Sequence, residues 1–519
     1  MQIPPDFKRG CFASSTTRLL FLLLIAWLPV MPLAASSALA RQAEINLTIL
    51  HVNDTHGHII PYVDKSVDPE RPVGGAEYLA KMIERERADN PHGTILLSAG
   101  DMFQGTPVSN LFHGKPVIDI MNYLHYDAMV LGNHEFDWGQ DVLHSIISSA
   151  SFPVISANVF RRGGQHIRGV KPYVILKKKG IRIAVVGTTT PDTCYTSKPE
   201  NLTGLTFVPP EKVLPAIIRR VRAQGASIVI ALTHDGLDAD RALARKVSGI
   251  DVLVGGHSHT AIMDPVVESG TVIVQAGSNG IYLGVLKITF DPKKKKILSY
   301  TRKDELRLVS SASGAQLDPN VARIVDNYEA QVRTEFSKVI GTAAVDLTRD
   351  STGESGLGDV IADAMRDASG AQIAFQNGGG IRADISKGPI TVETVFTALP
   401  FDNDLVSMDL AGEQIRELLE KSILSENMLQ VSGIQVEYDL SKPAGSKVAS
   451  ALVAGKPMEA QAIYRVVTND FLASGGNQFN VFKKGRNITM GFPQRDAVAD
   501  YIRKNSPINV RVRNRIVFR

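Results

Sequence analysis

The stretch MVLGNHEFDWG, residues 129–139, places an apolar run directly before a dense group of polar side chains. Met129, Val130 and Leu131 are typical of a buried strand, and Gly132 then interrupts the run. An amide, an imidazole and two carboxylates follow within residues 133–137. A strand that turns back to solvent would also explain Gly-Asn, which is a common turn pair. The stretch alone leaves the two interpretations open.

Five strand-like runs in the first half of the chain end in the same way, on side chains that bind metals. The carboxyl ends of strands in an α/β sheet face one crevice, so groups far apart in sequence can meet there. A lone histidine at a strand end is more often structural, but five such endings make coincidence a poor explanation. The side chains concerned are Asp54, His56, Asp101, Asn133, His134, His234, His257 and His259.

These ligand types define the kind of metal site. Carboxylate, imidazole and amide groups without a thiolate suit Mn²⁺, Zn²⁺ or a similar divalent ion. The set is too large for one ion. Two ions that share Asp101 as a bridge, about 3.5–4 Å apart, would form the arrangement that clamps both oxygens of a phosphoryl displacement.

Residues 1–40 have the parts of a secretory signal peptide. Basic side chains precede an apolar run, and the segment closes on Ala-Leu-Ala, which ends at Ala40. The apolar run is too short to span a membrane, which weakens the alternative of a retained anchor. We expect cleavage after Ala40, secretion to the periplasm and no stable membrane insertion afterwards.

Length and charge bound the rest of the chain. A chain of 519 residues is too long for one ordinary core, so two domains are expected. Without the signal segment, 54 basic side chains accompany 52 acidic ones, which gives no basic track for a nucleic acid polymer. Cys194 is then the single cysteine, so a disulfide framework is not expected.

All twelve histidines precede residue 260, which assigns imidazole chemistry to the first half of the chain. Apolar runs there alternate with stretches of helical spacing, so residues 41–312 are predicted to form an α/β catalytic domain. A Ser/Ala/Gly-rich stretch then precedes Asp318-Pro319, a good helix start, and 313–339 are interpreted as a linker helix. Residues 340–519 would form the second domain.

The motifs D-x-H, G-D, G-N-H-E, H and G-H-x-H, in this order, resemble the calcineurin-like metallophosphoesterases. NDTHGH, SAGDMFQGTPVSN and GNHEFDWG narrow the resemblance to the secreted 5′-nucleotidase family, which includes UDP-sugar hydrolases and 2′,3′-cyclic nucleotide phosphodiesterases. The resemblance covers nearly the whole mature chain. It implies an α/β fold, with an N-terminal four-layer metallophosphoesterase sandwich and a C-terminal α+β nucleotide-recognition domain.

The resemblance also implies roles for the catalytic residues. One metal would be held by Asp54, His56, Asp101 and His259, and the second by Asp101, Asn133, His234 and His257. His134 would face the phosphate, oriented by Asp137, and would stabilise the transferring phosphoryl group or protonate the leaving oxygen. The nucleophile would be a water acidified by the two ions.

The second half has no histidine and is interpreted as the part that recognises substrate. Its glycine-rich loop FQNGGGIRADI offers a close backbone approach and a fixed cation. By resemblance, Phe401 and Phe471 would stack the nucleobase, and Asn377, Arg382, Asn403 and Asn477 would contact the nucleotide. The family often has Asp at the position of Asn477. The segment before DVIADAM departs from the family pattern, so the resemblance assigns no second phosphate-facing arginine.

The sequence thus predicts a monomeric, secreted two-metal phosphoesterase that hydrolyses nucleotides to nucleoside and phosphate. The substrate is expected to be a small nucleotide: a 5′-nucleoside monophosphate, a UDP-sugar or a 2′,3′-cyclic nucleotide. The resemblance implies domain closure, with the linker helix as the hinge region. Two alternatives stay open, a thiosulfohydrolase of sulfur oxidation and a non-catalytic phosphate- or nucleotide-binding surface protein.

Overall fold

The computed structural model describes residues 44–64, 66–313 and 317–519. Within these residues, strands form where the sequence has β-branched and apolar runs. The runs INLTILHV and IRIAVVGTT are strands over their whole length. The predicted signal peptide lies outside the described residues.

The N-terminal half contains fifteen strands and seven α-helices among its described residues. The strands are β1 Ile45–Val52, β2 Thr94–Ser98, β3 Ala128–Val130, β4 Val154–Ile155, β5 Val159–Arg161, β6 Tyr173–Lys178, β7 Ile181–Thr189, β8 Leu205–Phe207, β9 Ala226–His234, β10 Val252–Val254, β11 Val266–Glu268, β12 Thr271–Val274, β13 Tyr282–Asp291, β14 Lys296–Tyr300 and β15 Leu306–Leu308. The helices are α1 Ala76–Asp89, α2 Pro107–Asn110, α3 Lys115–Tyr123, α4 Gly139–Ser149, α5 Thr193–Thr196, α6 Pro210–Ala223 and α7 Leu237–Lys246, with 3₁₀ turns at His134–Phe136, Pro199–Leu202 and Ser311–Ser313.

Two sheets stack face to face in this half. The first has the order β14-β13-β1-β2-β3-β4, with β15 also paired to β13, and β1 to β4 run parallel. The second has the order β11-β12-β10-β9-β7-β6, with β12, β10, β9 and β7 parallel. Apolar side chains such as Ile49, Leu97, Ile230 and Val254 fill the space between the sheets.

Helices cover the outer face of each sheet. Residues of α1, α3 and α4 join the core outside the first sheet, and residues of α6 and α7 join the core outside the second. The order helix, sheet, sheet, helix is the four-layer sandwich that the sequence predicts, and both faces of the parallel strands are buried.

One predicted strand is divided in two. The run PVISANV contributes to β4 and β5, but residues 156–158 leave the sheet. The Asn158 side chain explains the break, because its Nδ2 donates to Thr189 O at 2.7 Å and to Val208 O at 2.8 Å. A side chain that bonds the backbone of neighbouring elements replaces the ladder at this point.

A long helix, α8 Pro319–Phe336, forms where the linker helix is predicted. Asp318 caps its N-terminus, with a carboxylate that accepts from the N–H groups of Asn320 and Val321. Val321 packs into the core of the N-terminal half, whereas Phe336 at the other end lies 5.4 Å from the ring of Phe396. The helix therefore contacts both halves.

The C-terminal half is built around a five-stranded mixed sheet. Its order is β20-β17-β24-β19-β25, with helices on one face and a smaller four-stranded sheet, β23-β22-β21-β26, packed beside the other. The elements are β16 Val339–Ala343, α9 Gly356–Ser369, β17 Ile373–Asn377, β18 Gly388–Thr391, α10 Val392–Ala398, β19 Asp404–Ala411, α11 Gly412–Ser422, β20 Leu429–Ser432, β21 Ile434–Tyr438, β22 Val448–Val453, β23 Lys456–Pro457, β24 Ile463–Asn469, α12 Asp470–Ala473, β25 Arg486–Pro493, α13 Gln494–Asn505 and β26 Ile516–Phe518, with 3₁₀ turns at Gly378–Gly380, Gly476–Gln478 and Asn480–Lys484.

None of the helices described is both long enough and apolar enough to cross a bilayer.

Candidate metal and substrate site

Two clusters of metal-binding side chains lie at the strand ends of the N-terminal half. Within each cluster the candidate ligand atoms all lie within 4.8 Å of one another. The ends of β1, β2, β9 and β10 supply them, so the site lies where the two stacked sheets meet and not at the crevice of one sheet. The clusters are Asp54, His56 and His259, and Asp101, His234 and His257.

The two clusters are joined through His234, whose Nε2 is 2.9 Å from Asp101 Oδ2 and 3.9 Å from Asp54 Oδ1. Burial alone would lower the pKa of His234, but the carboxylates of Asp101 and Asp54 raise it to about 10. Such a field favours positive charge between the two acids. It is the electrostatic environment in which divalent cations bind.

An orphaned polar atom supports the same conclusion. Asn133 Oδ1 is buried and has no hydrogen-bond partner among the residues described. Buried polar atoms are normally satisfied, so unpartnered ones indicate an absent ligand. Carboxylate, imidazole and amide donors fit divalent ions, and Asn133, which follows β3, lines the same cavity as Asp101 and His257.

Five of the seven predicted metal ligands share a rare backbone conformation. Left-handed φ angles are uncommon outside glycine and are concentrated at functional sites, because surrounding contacts must hold them. The five non-glycine residues concerned are Asp54 at φ 48°, His56 at 50°, Asp101 at 52°, His257 at 76° and His259 at 55°.

His134 and Asp137 form the predicted pair. His134 Nδ1 lies 2.6 Å from Asp137 Oδ2, and the His134 backbone N–H donates to Asp101 Oδ1 at 2.9 Å. Burial alone would lower the pKa of His134, but the carboxylates of Asp137 and Asp101 raise it above its usual value. The geometry therefore favours a protonated imidazole. Its other nitrogen, Nε2, is not bonded to Asp137.

Glu135, for which the sequence suggests no role, fastens the loops that carry the ligands. Its carboxylate accepts from the backbone N–H groups of Gly132 at 2.6 Å, Asp101 at 2.9 Å and Met102 at 2.9 Å. The side chain is 1% exposed. It therefore ties the end of β2 to the end of β3, and so fixes Asp101 relative to Asn133.

Gly132 is required for the same close approach. A Cβ atom at this position would lie 2.2 Å from Asp101 Oδ1. No real Cβ contact is that short, so any other residue would displace the Asp101 carboxylate.

The C-terminal half brings a cation and an aromatic ring to these ligands. Arg382 Nη2 lies 3.3 Å from His56 Nε2. The Phe401 ring stacks on His134, with 5.6 Å between ring centroids and 30° between planes, and the Arg382 guanidinium lies 6.0 Å from the Phe401 centroid. The two halves thus meet at the phosphate end of the predicted site.

Three asparagines of the C-terminal half form a connected group. Asn377 Nδ2 donates to Asn477 Oδ1 at 3.0 Å, and Asn377 Oδ1 accepts from Asn469 at 3.1 Å. Asn477 has a φ of 49°. A Cβ at Gly476 would lie 2.4 Å from the Phe471 ring, so this loop packs directly beneath Phe471.

A cavity of about 450 Å³ joins these groups. Fifteen site residues are predicted, and twelve of them line this cavity. Asp54, His56 and His234 are the three that do not, and they lie buried behind its metal end. The twelve are Asp101, Asn133, His134, Asp137, His257, His259, Asn377, Arg382, Phe401, Asn403, Phe471 and Asn477.

Sequence reasoning missed several side chains of the cavity wall. Gln104 is 2% exposed, and neither atom of its amide has a hydrogen-bond partner among the described residues. Its position in SAGDMFQG, three residues after Asp101, was the available signal. Ser197 and Lys198 also line the cavity. The side chain of Arg349 is half exposed, and its Nη1 lies 3.4 Å from Ile381 O.

Fold and site together define a metallophosphoesterase joined to a nucleotidase C-terminal domain. The family model for calcineurin-like phosphoesterase matches residues 47–261, and the model for the 5′-nucleotidase C-terminal domain matches 339–484. The chain belongs to the 5′-nucleotidase family and is a metal-dependent phosphoric ester hydrolase.

Relatives from distant organisms support this membership. The chain is 31% identical to 5′-nucleotidase of Bos taurus over 91% of each chain. It is 32% identical, over 91% of its own length, to the trifunctional nucleotide phosphoesterase protein YfkN of Bacillus subtilis, of which it spans 35%. A 5′-nucleotidase precursor structure from Thermus thermophilus matches with a TM-score of 0.85 and 36% identity, over 91% of this chain and 99% of that one.

Proposed function

We propose that the protein is an exported enzyme that hydrolyses nucleotides to nucleoside and phosphate, with two divalent ions at its catalytic centre. One observation carries the proposal: a single cavity is lined by ligands of both clusters, by His134 and by the aromatic side chains Phe401 and Phe471. A phosphate ester with a flat base matches these groups from one end to the other. Candidate substrates are 5′-nucleoside monophosphates, UDP-sugars and 2′,3′-cyclic nucleotides.

The metal ligands are assigned as the sequence predicts. Asp54, His56, Asp101 and His259 would hold one ion, and Asp101, Asn133, His234 and His257 the other. Ions held there would acidify water and neutralise charge on the phosphoryl oxygens. We further propose a catalytic domain over residues 41–312, a linker over 313–339 and a substrate domain from residue 340.

The His134 side chain acts on the phosphoryl group. Asp137 holds Nδ1, so the proton on Nε2 is the one that can reach a phosphoryl or leaving-group oxygen. Arg382 presents a second positive charge beside His56, where it neutralises a phosphate oxygen. The unpartnered amide of Gln104 supplies a further hydrogen bond to the substrate at this end.

Recognition of the nucleoside falls to the C-terminal half. Phe401 and Phe471 stack the base. Base–aromatic stacking contributes about 1–3 kcal/mol of binding free energy per base. Asn377 and Asn477 bond each other and can exchange that bond for ribose hydroxyls. Asn403, which is 7% exposed at the same cavity, contacts the base edge.

Each of the two rival functions leaves part of this arrangement without a purpose. A thiosulfohydrolase does not need a pair of aromatic rings at the far end of the cavity. A phosphate-binding surface protein does not need an imidazole held by a carboxylate beside two metal clusters.

Purified protein supplied with Mn²⁺ tests the proposal. AMP, a UDP-sugar, a 2′,3′-cyclic nucleotide and a thiosulfate-linked substrate are assayed in parallel for product release. We expect turnover of at least one nucleotide and none of the sulfur substrate. Turnover of the sulfur substrate alone would establish the first rival, and tight nucleotide binding without any turnover would establish the second.

A further inference from the structure

Lys198, a residue of the N-terminal half, contacts both loops that carry the aromatic pair. Its Nζ donates to Asp402 O at 2.9 Å and to Asp470 Oδ2 at 2.7 Å. Asp402 directly follows Phe401, and Asp470 directly precedes Phe471. One ammonium group therefore fixes the two aromatic loops relative to each other.

The segment around Lys198 is attached to the catalytic pair on its own side. Ser197 Oγ donates to Asn133 O at 2.9 Å, and Asn201 Nδ2 donates to Asp137 O at 2.8 Å. The backbone that carries Lys198 is thus held against the stretch that contains His134. A displacement of Lys198 relative to that stretch would break both bonds.

Other side chains hold the first aromatic loop, but Lys198 differs from them in its reach. Asn110 Nδ2 donates to Pro400 O at 2.8 Å, and Arg495 Nη1 donates to Phe401 O at 2.9 Å. Each of these two contacts holds the loop of Phe401. Lys198 holds that loop and the loop of Phe471 at the same time.

The environment of the ion pair favours a defined geometry. The side chains of Lys198 and Asp470 are 25% and 22% exposed. Partly buried pairs are screened less by salt than exposed ones, and a charge-assisted hydrogen bond is shorter and stronger than a neutral one. The pair can therefore hold the two loops at a fixed separation.

We propose that Lys198 is a positioning residue for substrate recognition, which sets the gap between Phe401 and Phe471 and aligns that gap with His134 for a ligand with a flat aromatic ring. The inference rests on the proposed function, since it takes the nucleobase as the occupant of the gap. It adds a specificity role for a side chain that need not touch the base.

The test compares Lys198→Met with Lys198→Arg and with Lys212→Met, a control at an exposed lysine of α6. AMP and ribose 5-phosphate serve as substrates with and without a base. For Lys198→Met we expect kcat/KM to fall at least about tenfold on AMP, mainly through KM, and less than about threefold on ribose 5-phosphate. Lys198→Arg should recover most of the loss, because it keeps the charge.

Adenosine binding to the metal-free protein gives a second readout that does not depend on turnover. Calorimetry should find a dissociation constant at least about tenfold higher for Lys198→Met than for wild type and Lys212→Met. Asp470→Asn should have a similar effect, and adding Lys198→Met to it should cost little more. Thermal unfolding of each variant verifies that it is folded.

Equal losses on AMP and ribose 5-phosphate, or unchanged adenosine binding, would overturn the inference. If wild type hydrolyses nucleotides and Lys198→Met matches it, only the role of Lys198 fails. If wild type hydrolyses no nucleotide, the proposed function fails and this inference fails with it.

Discussion

Adjacent residues of the stretch GNHEFD perform different tasks. Asn133 and His134 line the cavity, Asn133 Oδ1 has no partner among the described residues, and the Glu135 carboxylate accepts from three backbone N–H groups. A short 3₁₀ turn, His134–Phe136, separates their directions. The density of polar side chains therefore reflects several distinct contacts and not a strand end returning to solvent.

His134→Ala tests the division of labour at this scale. We expect turnover of a nucleotide to fall at least about a hundredfold, since general acid catalysis typically contributes that much. Bound metal, measured by mass spectrometry of the purified protein, should not change. The exposed His92→Ala serves as control. Loss of metal in step with activity would instead make His134 a ligand.

Glu135→Gln should destabilise the fold and loosen the ligand loops. An amide has one acceptor oxygen and cannot accept from all three N–H groups that the carboxylate satisfies, and bonds to charged groups contribute about 1.5–3 kcal/mol each. We expect the free energy of unfolding of metal-free protein to fall by about 2–3 kcal/mol in urea titrations. The exposed Glu335→Gln should change it little, and an equal effect of both substitutions would exclude the role of Glu135.

At the scale of elements, the sequence predicts strands better than it predicts the site they build. β1 and β7 have the limits that their β-branched runs predict. The residues that follow the strand ends likewise predict the types of metal ligand. The meeting of two sheets, the backbone contacts of Glu135 and the reach of Lys198 depend on residues far apart in sequence, so local patterns could not predict them.

The short helix α12 and the glycine loop after it place Phe471 in the cavity wall. Phe471→Ala should raise the KM for AMP about tenfold or more, because a stacked base contributes about 1–3 kcal/mol. Hydrolysis of ribose 5-phosphate should be unaffected. The exposed Phe518→Ala is the matched control. An equal loss on both substrates would show that Phe471 only supports the fold.

At the scale of the whole molecule, the halves meet through polar and aromatic contacts beside the metal clusters. Arg382 reaches His56, Phe401 stacks on His134, and Asn110 bonds Pro400 O. The cavity is therefore a property of both halves together. Under the proposed function, residues of the N-terminal half would carry the chemistry and residues of the C-terminal half would select the ester.

Metal binding should stabilise the folded chain as well as support its activity. Asp54 and Asp101 are buried close to His234, and cations held between them would bind the folded chain and not the unfolded one. An ion at a hundred times its dissociation constant contributes about 2.7 kcal/mol. Differential scanning calorimetry should find that EDTA lowers the unfolding temperature and that Mn²⁺ restores it. Asp101→Asn should shrink this difference, because it weakens the shared ligand, whereas an unfolding temperature that is insensitive to EDTA in wild type would contradict the assignment of both clusters.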